Sequence, residues 1–247
     1  MPHCVILLSG WGVSADPMRT LAEEIGLDGA CALSLRELRE RGADDPSDTA
    51  SPYAAGLRRE LERGDGPAHV VGWSTGGIVA LEASALCPDR FQTLTLLGAT
   101  PKFCADDDFP HGTPLAALRA MMVGLRRDPE SVLTTFAARM AEPLVVKEVE
   151  TRPFVMSALA QGTDELAKGL KYLRDSDFRE HVHALRTPCL VLHGREDRIV
   201  PFAAAEWLHN HAPDSQLVEF PEGGHALAAQ STVTVASRIR IFLEAHS

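Results

Sequence analysis

The chain has 247 residues, of which 45% are hydrophobic and 23% charged, and this composition excludes a disordered or fibrous protein. Its formal net charge of −10 argues against general nucleic-acid binding, which needs clustered Lys and Arg, and leaves room only for a local basic patch. No apolar run approaches the roughly 20 residues of a membrane helix, and the run Val5–Leu8 after a single His3 is too short and too weakly basic to be a signal peptide. We therefore expect one cytoplasmic, monomeric unit with no membrane or nucleic-acid partner.

The cysteines predict neither a disulfide framework nor a zinc site. They are five in number, widely spaced and without a Cys-x-x-Cys pair. We expect them to be reduced and mostly buried, and we expect no metal and no organic cofactor. They are Cys4, Cys31, Cys87, Cys104 and Cys189.

Short apolar runs alternate with helical patterns along most of the chain, which predicts an α/β fold. The strands are predicted at Val5–Leu8, Cys31–Leu35, His69–Gly72, Gln92–Leu97, Cys189–His193 and Gln216–Phe220. Apolar residues at helical spacing predict helices at Asp16–Ile25, Pro52–Glu62, Gly76–Ala85, Ala203–His209 and Thr232–Glu244. The expected architecture is a mostly parallel sheet of about six strands with helices on both faces.

Residues 100–186 break this alternation because they show helical patterns and no convincing strand. The helices are predicted at Pro114–Leu125, Pro129–Ala141, Leu144–Leu159 and Thr163–Leu173. We therefore expect an inserted helical lid at residues 100–186, between two parts of one core at residues 1–99 and 187–247.

A nucleophile motif lies between a predicted strand and a predicted helix. Gly72-Trp73-Ser74-Thr75-Gly76 matches G-x-S-x-G, the sharp turn that presents a reactive serine in α/β hydrolases. At average glycine usage such a string arises by chance in roughly one chain in ten. The flanking strand and helix patterns make an ordinary glycine-rich turn less probable, and they predict that Ser74 is the nucleophile.

A serine hydroxyl needs a base and an orienting acid, which in this fold follow in the chain order Ser, acid, His. Asp197 and His225 each follow a predicted strand, at the sheet edge where such folds bind ligands. The neighbouring Glu196 should point elsewhere, and Asp175 and Asp177 should be solvated. The catalytic residues are therefore predicted to be Ser74, Asp197 and His225.

Acyl transfer also needs donors to the oxyanion. The backbone N–H of Thr75 follows the nucleophile, and the backbone N–H of Trp11 lies in the loop after the first strand. We predict that these two amides form the oxyanion hole. The Trp11 side chain is equally explained as an aromatic cover on the sheet edge, and the two roles are compatible.

Several phrases resemble the pimeloyl-[acyl-carrier protein] methyl ester esterases, an α/β-hydrolase family of biotin biosynthesis. They are Ser9-Gly10-Trp11-Gly12, Gly72-Trp73-Ser74-Thr75-Gly76-Gly77, Thr100-Pro101-Lys102-Phe103-Cys104, Phe109-Pro110-His111-Gly112 and Gly169-Leu170-Lys171-Tyr172-Leu173-Arg174-Asp175-Ser176-Asp177. The resemblance implies a serine carboxylesterase that hydrolyses the methyl ester of a pimeloyl chain held on acyl carrier protein. It also implies substrate contacts at Trp11, Ser74, Thr75, Phe136, Ala137, Ala138, Arg139, Met140 and His225.

Two departures from the family are visible. Family members often have His where Ser9 stands, which implies different support for the oxyanion loop. The chain begins almost at the first central strand, without the N-terminal hairpin common in this fold, so the sheet is expected to be shorter at one edge.

The lid allows two interpretations of its charges and two of its apolar residues. Residues 114–147 hold five basic residues against three acidic ones, namely Arg119, Arg126, Arg127, Arg139 and Lys147 against Asp128, Glu130 and Glu142. This excess either attracts an acidic carrier protein or is an ordinary charged helix face. The apolar side chains either line an acyl channel or only pack the core, and they are Phe103, Leu118, Met122, Phe136, Met140 and Phe154.

Two rival functions remain open at this point. The same three residues would serve an esterase, thioesterase or C–C hydrolase acting on a different small acyl substrate. A catalytically silent member that binds a ligand through the same pocket is the rival from another class, and the presence of Ser74, Asp197 and His225 counts against it.

Overall fold

The computed structural model of the chain describes residues 4–45 and 50–247. Its main sheet has six strands, all parallel, in the order β2-β1-β3-β4-β7-β8. These strands are β1 (Val5–Leu8), β2 (Cys31–Leu33), β3 (Ala68–Trp73), β4 (Phe91–Leu97), β7 (Cys189–Gly194) and β8 (Ser215–Phe220). The predicted parallel six-stranded sheet is confirmed, and β2 forms the edge next to β1.

The central strands are buried on both faces, which explains why they appear in the sequence as continuous apolar runs. All four residues of β1 are buried. Ile6 and Leu8 belong to the core on one side of the sheet, whereas Val5 and Leu7 belong to the core on the other. Successive side chains of a strand point to opposite faces, so both faces of β1 require apolar residues.

Helices cover both faces of the sheet. Within residues 4–45 and 50–247 they are α1 (Asp16–Ile25), α2 (Leu35–Gly42), α3 (Pro52–Glu62), α4 (Thr75–Leu86), α5 (Leu115–Arg127), α6 (Pro129–Ala141), α7 (Glu148–Gln161), α8 (Thr163–Asp175), α9 (Arg179–His183), α10 (Phe202–His211), α11 (Leu227–Gln230) and α12 (Thr232–Ala245). Helices α1, α11 and α12 pack with Leu7 on one face, while α2, α3, α4, α9 and α10 pack with Ile6 and Leu8 on the other.

Local capping signals explain why α1 and α3 have the bounds that their spacing predicts. Pro52 occupies the first turn of α3, and the Ser51 hydroxyl accepts a hydrogen bond of 3.1 Å from the Ala54 N–H. Helix α1 ends at Ile25 and is capped by Gly26, whose φ of 86° is the left-handed conformation that glycine adopts readily.

The predicted strand Cys31–Leu35 is too long, because Ser34 ends β2 and begins α2. The Glu37 N–H donates to the Ser34 hydroxyl, and the Ser34 N–H donates to the Glu37 carboxylate at 2.7 Å. This reciprocal capping box is the S-x-x-E pattern of a helix start, and it places Leu35 in the helix. The short helices α9 and α11 also lie outside the predicted set.

The lid segment, defined as residues 100–186, contains α5 to α9. The expectation that it holds no strand is wrong, because β5 (Cys104–Ala105) pairs in parallel with β6 (Thr113–Pro114). Strands of two residues are too short to show a period. The division into a core of residues 1–99 and 187–247 and a lid remains a prediction, and residues 1–3 and 46–49 of that core lie outside the described parts.

The cysteines are less buried than expected. Cys104 and Cys189 are buried, Cys31 and Cys87 are half-buried, and Cys4 is exposed. The expectation of mostly buried cysteines is therefore only partly met. Separately, none of the helices in the described ranges is both long and apolar enough to cross a bilayer.

Candidate active site

Ser74 occupies a tight turn between β3 and α4. Its φ of 56° and ψ of −121° make it the one non-glycine residue with positive φ in the described parts of the chain. The turn needs small neighbours, since a Cβ on Gly72 would lie 2.5 Å from Gly77 Cα and one on Gly76 would lie 2.6 Å from the Ser9 carbonyl oxygen. A strained conformation at a reactive position is typical of a functional site.

Hydrogen bonds connect Ser74, His225 and Asp197 in one line. His225 Nε2 lies 2.9 Å from Ser74 Oγ, and His225 Nδ1 lies 2.7 Å from Asp197 Oδ2. An ionised carboxylate only accepts, so Nδ1 holds the ring proton and Nε2 is the free acceptor for the serine hydroxyl. The structure thus brings together the three residues that the sequence places far apart.

The Asp197 carboxylate is enclosed by donors. Its Oδ1 accepts from the backbone N–H groups of Ile199 at 2.7 Å and Val200 at 2.8 Å. Burial by itself raises the pKa of a carboxyl, but the charge and hydrogen bonds of His225 and His193 outweigh it and hold the pKa of Asp197 well below its ordinary value. Asp197 is therefore ionised where it faces His225.

The loop that contains His225 is fastened to the core and to the lid segment. The Trp73 indole donates to the His225 carbonyl at 3.0 Å. On the lid side, the Ala226 N–H donates to the Met140 carbonyl at 3.1 Å, and the Gln230 amide donates to the Ala141 carbonyl at 2.7 Å. The C-terminal end of α6 thereby helps to hold the histidine in place.

The loop after β1 lies beside Ser74 and has an internal brace. The Ser9 hydroxyl donates to the Val13 carbonyl at 3.0 Å. The backbone N–H groups of Trp11 and Thr75 make no hydrogen bond to another residue of the described ranges. Both residues border the same cavity as Ser74, and their role as oxyanion donors remains a prediction.

A cavity of about 250 Å³ adjoins Ser74. It is lined mainly by apolar side chains, and its lining residues are Trp11, Ser74, Thr75, Phe103, Thr113, Ala117, Leu118, Ala120, Met121, Ser131, Val132, Thr135, Phe136, Arg139, Leu170, Leu173, Arg198 and Ile199. Leu118 and Leu170 are fully buried at its inner wall. Ala120, Ser131, Thr135, Arg139 and Arg198 in the lining are exposed, so the cavity meets solvent along α5, α6 and the loop after β7.

The predicted lid contacts reach this cavity only in part. Phe136 and Arg139 line it, whereas Ala137, Ala138 and Met140 do not. A helix turns 100° per residue, so five consecutive residues cannot share one face, and Ala137 points into the core while Ala138 is exposed.

The apolar residues considered as the lining of an acyl channel also reach the cavity only in part. Phe103, Leu118 and Phe136 line the cavity, and Met122, Met140 and Phe154 pack elsewhere. Leu170, Leu173 and Arg198 were missed as lining residues. The phrase containing Leu170 and Leu173 was noted only as a family likeness, and nothing local marks Arg198.

Two of the phrases that carry the resemblance, those containing Lys102 and Asp177, contact each other. Lys102 Nζ lies 3.1 Å from Asp177 Oδ2, which makes an ion pair between the segment after β4 and the end of the lid. The Tyr172 hydroxyl donates to Glu82 on α4 at 2.7 Å. Asp177 is exposed, as expected, yet it joins the two ends of the lid segment through Lys102, whereas the Tyr172–Glu82 bond attaches the lid segment to the core.

The sequence profile described as the Alpha/beta hydrolase family matches residues 5–238 of the chain. The chain belongs to this family. Among its relatives, a pimeloyl-[acyl-carrier protein] methyl ester esterase from Nitrosomonas europaea is 36% identical over 165 residues, which cover 64% of each chain. This first alignment spans less than two thirds of the relative. An esterase of the same name from Xanthomonas axonopodis pv. citri is 30% identical and covers 90% of this chain and 87% of its own.

These relatives place the α/β hydrolase among the pimeloyl-[acyl-carrier protein] methyl ester esterases, and the predicted family membership is confirmed. The chain is accordingly an ester hydrolase. Solved structures show the same fold. A bromoperoxidase from Bacillus anthracis superposes with a TM-score of 0.86 at 20% identity, covering 99% of this chain and 92% of its own. An esterase from Exiguobacterium antarcticum superposes with a TM-score of 0.82 at 19% identity, covering 98% of this chain and 92% of its own.

Proposed function

We propose that this α/β hydrolase is a serine carboxylesterase that hydrolyses the methyl ester of pimeloyl-acyl carrier protein in biotin biosynthesis. The observation that supports it most is the hydrogen-bonded line from Ser74 through His225 to Asp197 at one wall of an apolar cavity. The substrate is proposed from the names of the relatives, which are esterases of that ester.

The first half of the reaction forms an acyl-enzyme. His225 Nε2 accepts the Ser74 proton as Oγ attacks the ester carbonyl, and the ionised Asp197 stabilises the resulting imidazolium. The tetrahedral intermediate then collapses, the carbonyl–methoxy bond breaks, and the imidazolium donates its proton to the leaving oxygen. Methanol leaves, and the acyl group stays on Ser74.

The second half releases the free acid. Water takes the place of methanol, His225 accepts one of its protons, and the hydroxide attacks the acyl-enzyme. Collapse of this second intermediate breaks the bond to Ser74, and His225 returns the proton to Oγ. Both intermediates bear a negative oxygen, for which the free backbone N–H groups of Trp11 and Thr75 are the proposed donors.

The cavity suits an extended acyl chain whose far end is attached to a protein. Such a substrate cannot be wholly enclosed, so its carrier end must leave through an opening. The cavity meets solvent at exposed lining residues that include Thr135, Arg139 and Arg198, while buried leucines form its inner wall. Polar and cationic side chains at that opening suit the polar tether of a carrier-bound acyl group.

An acidic carrier protein is the proposed partner. Arg119, Arg126 and Arg127 on α5 are exposed and form no ion pair with other residues of the described ranges. They offer unpaired positive charge in a chain whose net charge is −10. A monomer in the cytoplasm, where acyl carrier proteins act, is part of the same proposal.

The proposed nucleophile is tested by Ser74→Ala. We expect loss of turnover on a p-nitrophenyl ester and loss of labelling by a fluorophosphonate probe, which reacts only with an activated serine. Ser84→Ala is the control, because Ser84 lies in α4, which follows Ser74, and its buried hydroxyl donates to the Leu81 carbonyl away from the cavity. Retained turnover in Ser74→Ala would sink the assignment.

The proposed substrate is tested by incubating the protein with pimeloyl-carrier methyl ester and following its mass. We expect the mass to fall by one methylene group as the ester becomes an acid. Rapid cleavage of simple esters without this change would favour the alternative, an esterase or thioesterase for a different small acyl group. Arg126→Glu together with Arg127→Glu is expected to raise KM for the carrier substrate and to leave the p-nitrophenyl ester unaffected.

A further inference from the structure

A second buried histidine lies against the acid of the proposed triad. His193 is in β7, is fully buried, and has no part in the reaction steps above. Its Nε2 lies 2.9 Å from the Val200 carbonyl oxygen and 3.4 Å from Asp197 Oδ2. A carbonyl oxygen only accepts hydrogen bonds, so Nε2 holds the ring proton. The N–H group of His193 is therefore directed at the turn that contains Asp197.

Within the described residues, two side chains reach Asp197 Oδ2, and they are those of His225 and His193. Oδ1 is held by two backbone N–H groups, and Oδ2 by His225 at 2.7 Å. The Asp197 side chain has no exposed surface, so bulk solvent does not screen these contacts. His193 Nε2 is therefore the second side-chain nitrogen, after His225 Nδ1, that contacts Asp197 Oδ2.

The His193 ring is itself fixed. Phe202 packs edge-on against it with ring centroids 5.9 Å apart. The Arg195 guanidinium lies over the Phe202 ring, with Cζ 4.7 Å from the ring centroid. The charged groups nearby are exposed and partly paired, as between Arg198 and Glu196 at 2.9 Å. The buried titratable groups that His193 faces are therefore Asp197 and, beyond it, His225.

We propose that His193 is a positioning residue for the triad. The hydrogen bond from His193 Nε2 to the Val200 carbonyl holds the turn of residues 197–200. The contact of Nε2 with Asp197 Oδ2 keeps that oxygen directed at His225. The contact also draws electron density from Oδ2. Without it, Asp197 binds the His225 N–H more strongly, and the His225 ring becomes more basic. This role rests on the proposed function, because it acts through the three residues assigned there.

The test compares His193→Phe, which keeps the ring and removes the donor, with His193→Gln, whose amide places an N–H near the position of Nε2. For His193→Phe we expect kcat on a p-nitrophenyl ester to fall roughly tenfold, with KM within about twofold, as for loss of one hydrogen bond to a charged group. We also expect the acidic limb of kcat/KM to move to higher pH by about half a unit. His193→Gln should restore most of kcat and return the acidic limb most of the way to its wild-type pH.

His69→Phe is the matched control. His69 is also a buried strand histidine, but its ring bonds to Thr93 on the neighbouring strand. Its replacement is expected to lower stability without moving the acidic limb. Should His193→Phe not fold, His193→Asn replaces it, because its polar side chain is too short to reach Val200 and should shift the limb in the same direction.

Two results would overturn the proposal. One is a folded His193→Phe protein with unchanged kcat. The other is a fall in kcat with an unmoved acidic limb and no recovery in His193→Gln, which is what a purely structural role gives. Turnover that survives Ser74→Ala would instead refute the proposed function, so the two failures are distinguishable.

Discussion

The indole of Trp11 donates a hydrogen bond of 2.8 Å to the backbone carbonyl of Leu166. This buried bond joins the loop after β1 to the first turns of α8 in the lid segment. The same ring lies so close to Gly169 that an added Cβ there would come within 2.6 Å of Trp11 Cδ1. The loop with one proposed oxyanion donor is thus held by the lid as well as by the sheet.

Trp11→Phe removes this bond and part of the ring. We expect the free energy of unfolding to fall by about 1–2 kcal/mol and ester turnover to fall with it, because the loop loses its anchor. Urea denaturation and a p-nitrophenyl ester assay measure the two effects. Trp207→Phe is the control, since Trp207 is half-buried outside the lining of the cavity. Equal effects of the two substitutions on turnover would contradict the prediction.

Gly10→Ala should disturb Ser74, the proposed nucleophile, directly. A Cβ on Gly10 would lie 3.1 Å from Ser74 Cβ and 3.5 Å from Ser74 Oγ. A shift of the serine by a few tenths of an ångström is expected to lower kcat roughly tenfold, while stability changes little. Gly66→Ala is the control, because nothing lies within 4 Å of its added Cβ. Wild-type kcat in Gly10→Ala would show that the loop adjusts without cost.

Asp197→Asn should keep the fold and remove the charge that orients His225. The amide can turn its NH₂ group toward Nδ1 and stabilise the wrong ring tautomer, so we expect kcat to fall by a factor on the order of 10⁴. Steady-state kinetics and fluorophosphonate labelling measure it. Asp175→Asn serves as the control, because Asp175 is exposed and pairs with Arg174 at 2.7 Å. A loss in Asp197→Asn as small as in the control would remove Asp197 from the triad.

Tyr172→Phe tests the attachment of α8 to the core. Burial, together with the neighbouring Glu82, raises the pKa of Tyr172 well above its ordinary value, so the hydroxyl keeps its proton and donates to Glu82 at 2.7 Å. Its loss should lower the free energy of unfolding by about 1–3 kcal/mol. Tyr53→Phe is the control, because the Tyr53 ring packs against Tyr172 at 5.0 Å and its hydroxyl bonds to no residue of the described ranges. Thermal denaturation distinguishes the two, and equal shifts would contradict the prediction.

Asp177→Asn should destabilise the protein in a pH-dependent way. Burial raises the pKa of Asp177, but hydrogen bonds from Arg179 and Lys102 outweigh it and lower the pKa from 3.8 to about 2. The folded state therefore favours the carboxylate, which stabilises the protein above about pH 4 and loses this effect as the pH falls toward 2.

The difference in stability between wild type and Asp177→Asn should accordingly be present at pH 7 and smaller near pH 3. Urea denaturation at both pH values measures it. Asp107→Asn is the control, since Asp107 is exposed and forms no ion pair with the described residues. A difference that stays constant between the two pH values would contradict the assignment.

Much of the fold and the main site residues could be predicted from local patterns. The strand β1 and the helices α1, α3 and α6 have the bounds that their patterns predict. Ser74, Asp197 and His225, which the structure brings within hydrogen-bonding distance, could be proposed as catalytic residues because the motif, the chain order and the loop positions are features of the sequence itself. The short helix α2 was missed although Ser34 and Glu37 form a recognisable capping box, because the apolar Leu35 extends the preceding strand pattern.

The sequence by itself determined the parallel sheet, the proposed nucleophile and the candidates for its partners, because burial and turn chemistry leave regular local signals. Only the tertiary structure decided which side chains surround them. The bond from Trp11 to Leu166, the bond from Ala226 to Met140 and the contact of His193 with Asp197 join distant segments or depend on a side chain's orientation. For the same reason Phe136 reaches the cavity while Ala137 does not, since the packing of α6 decides which of its faces meets Ser74.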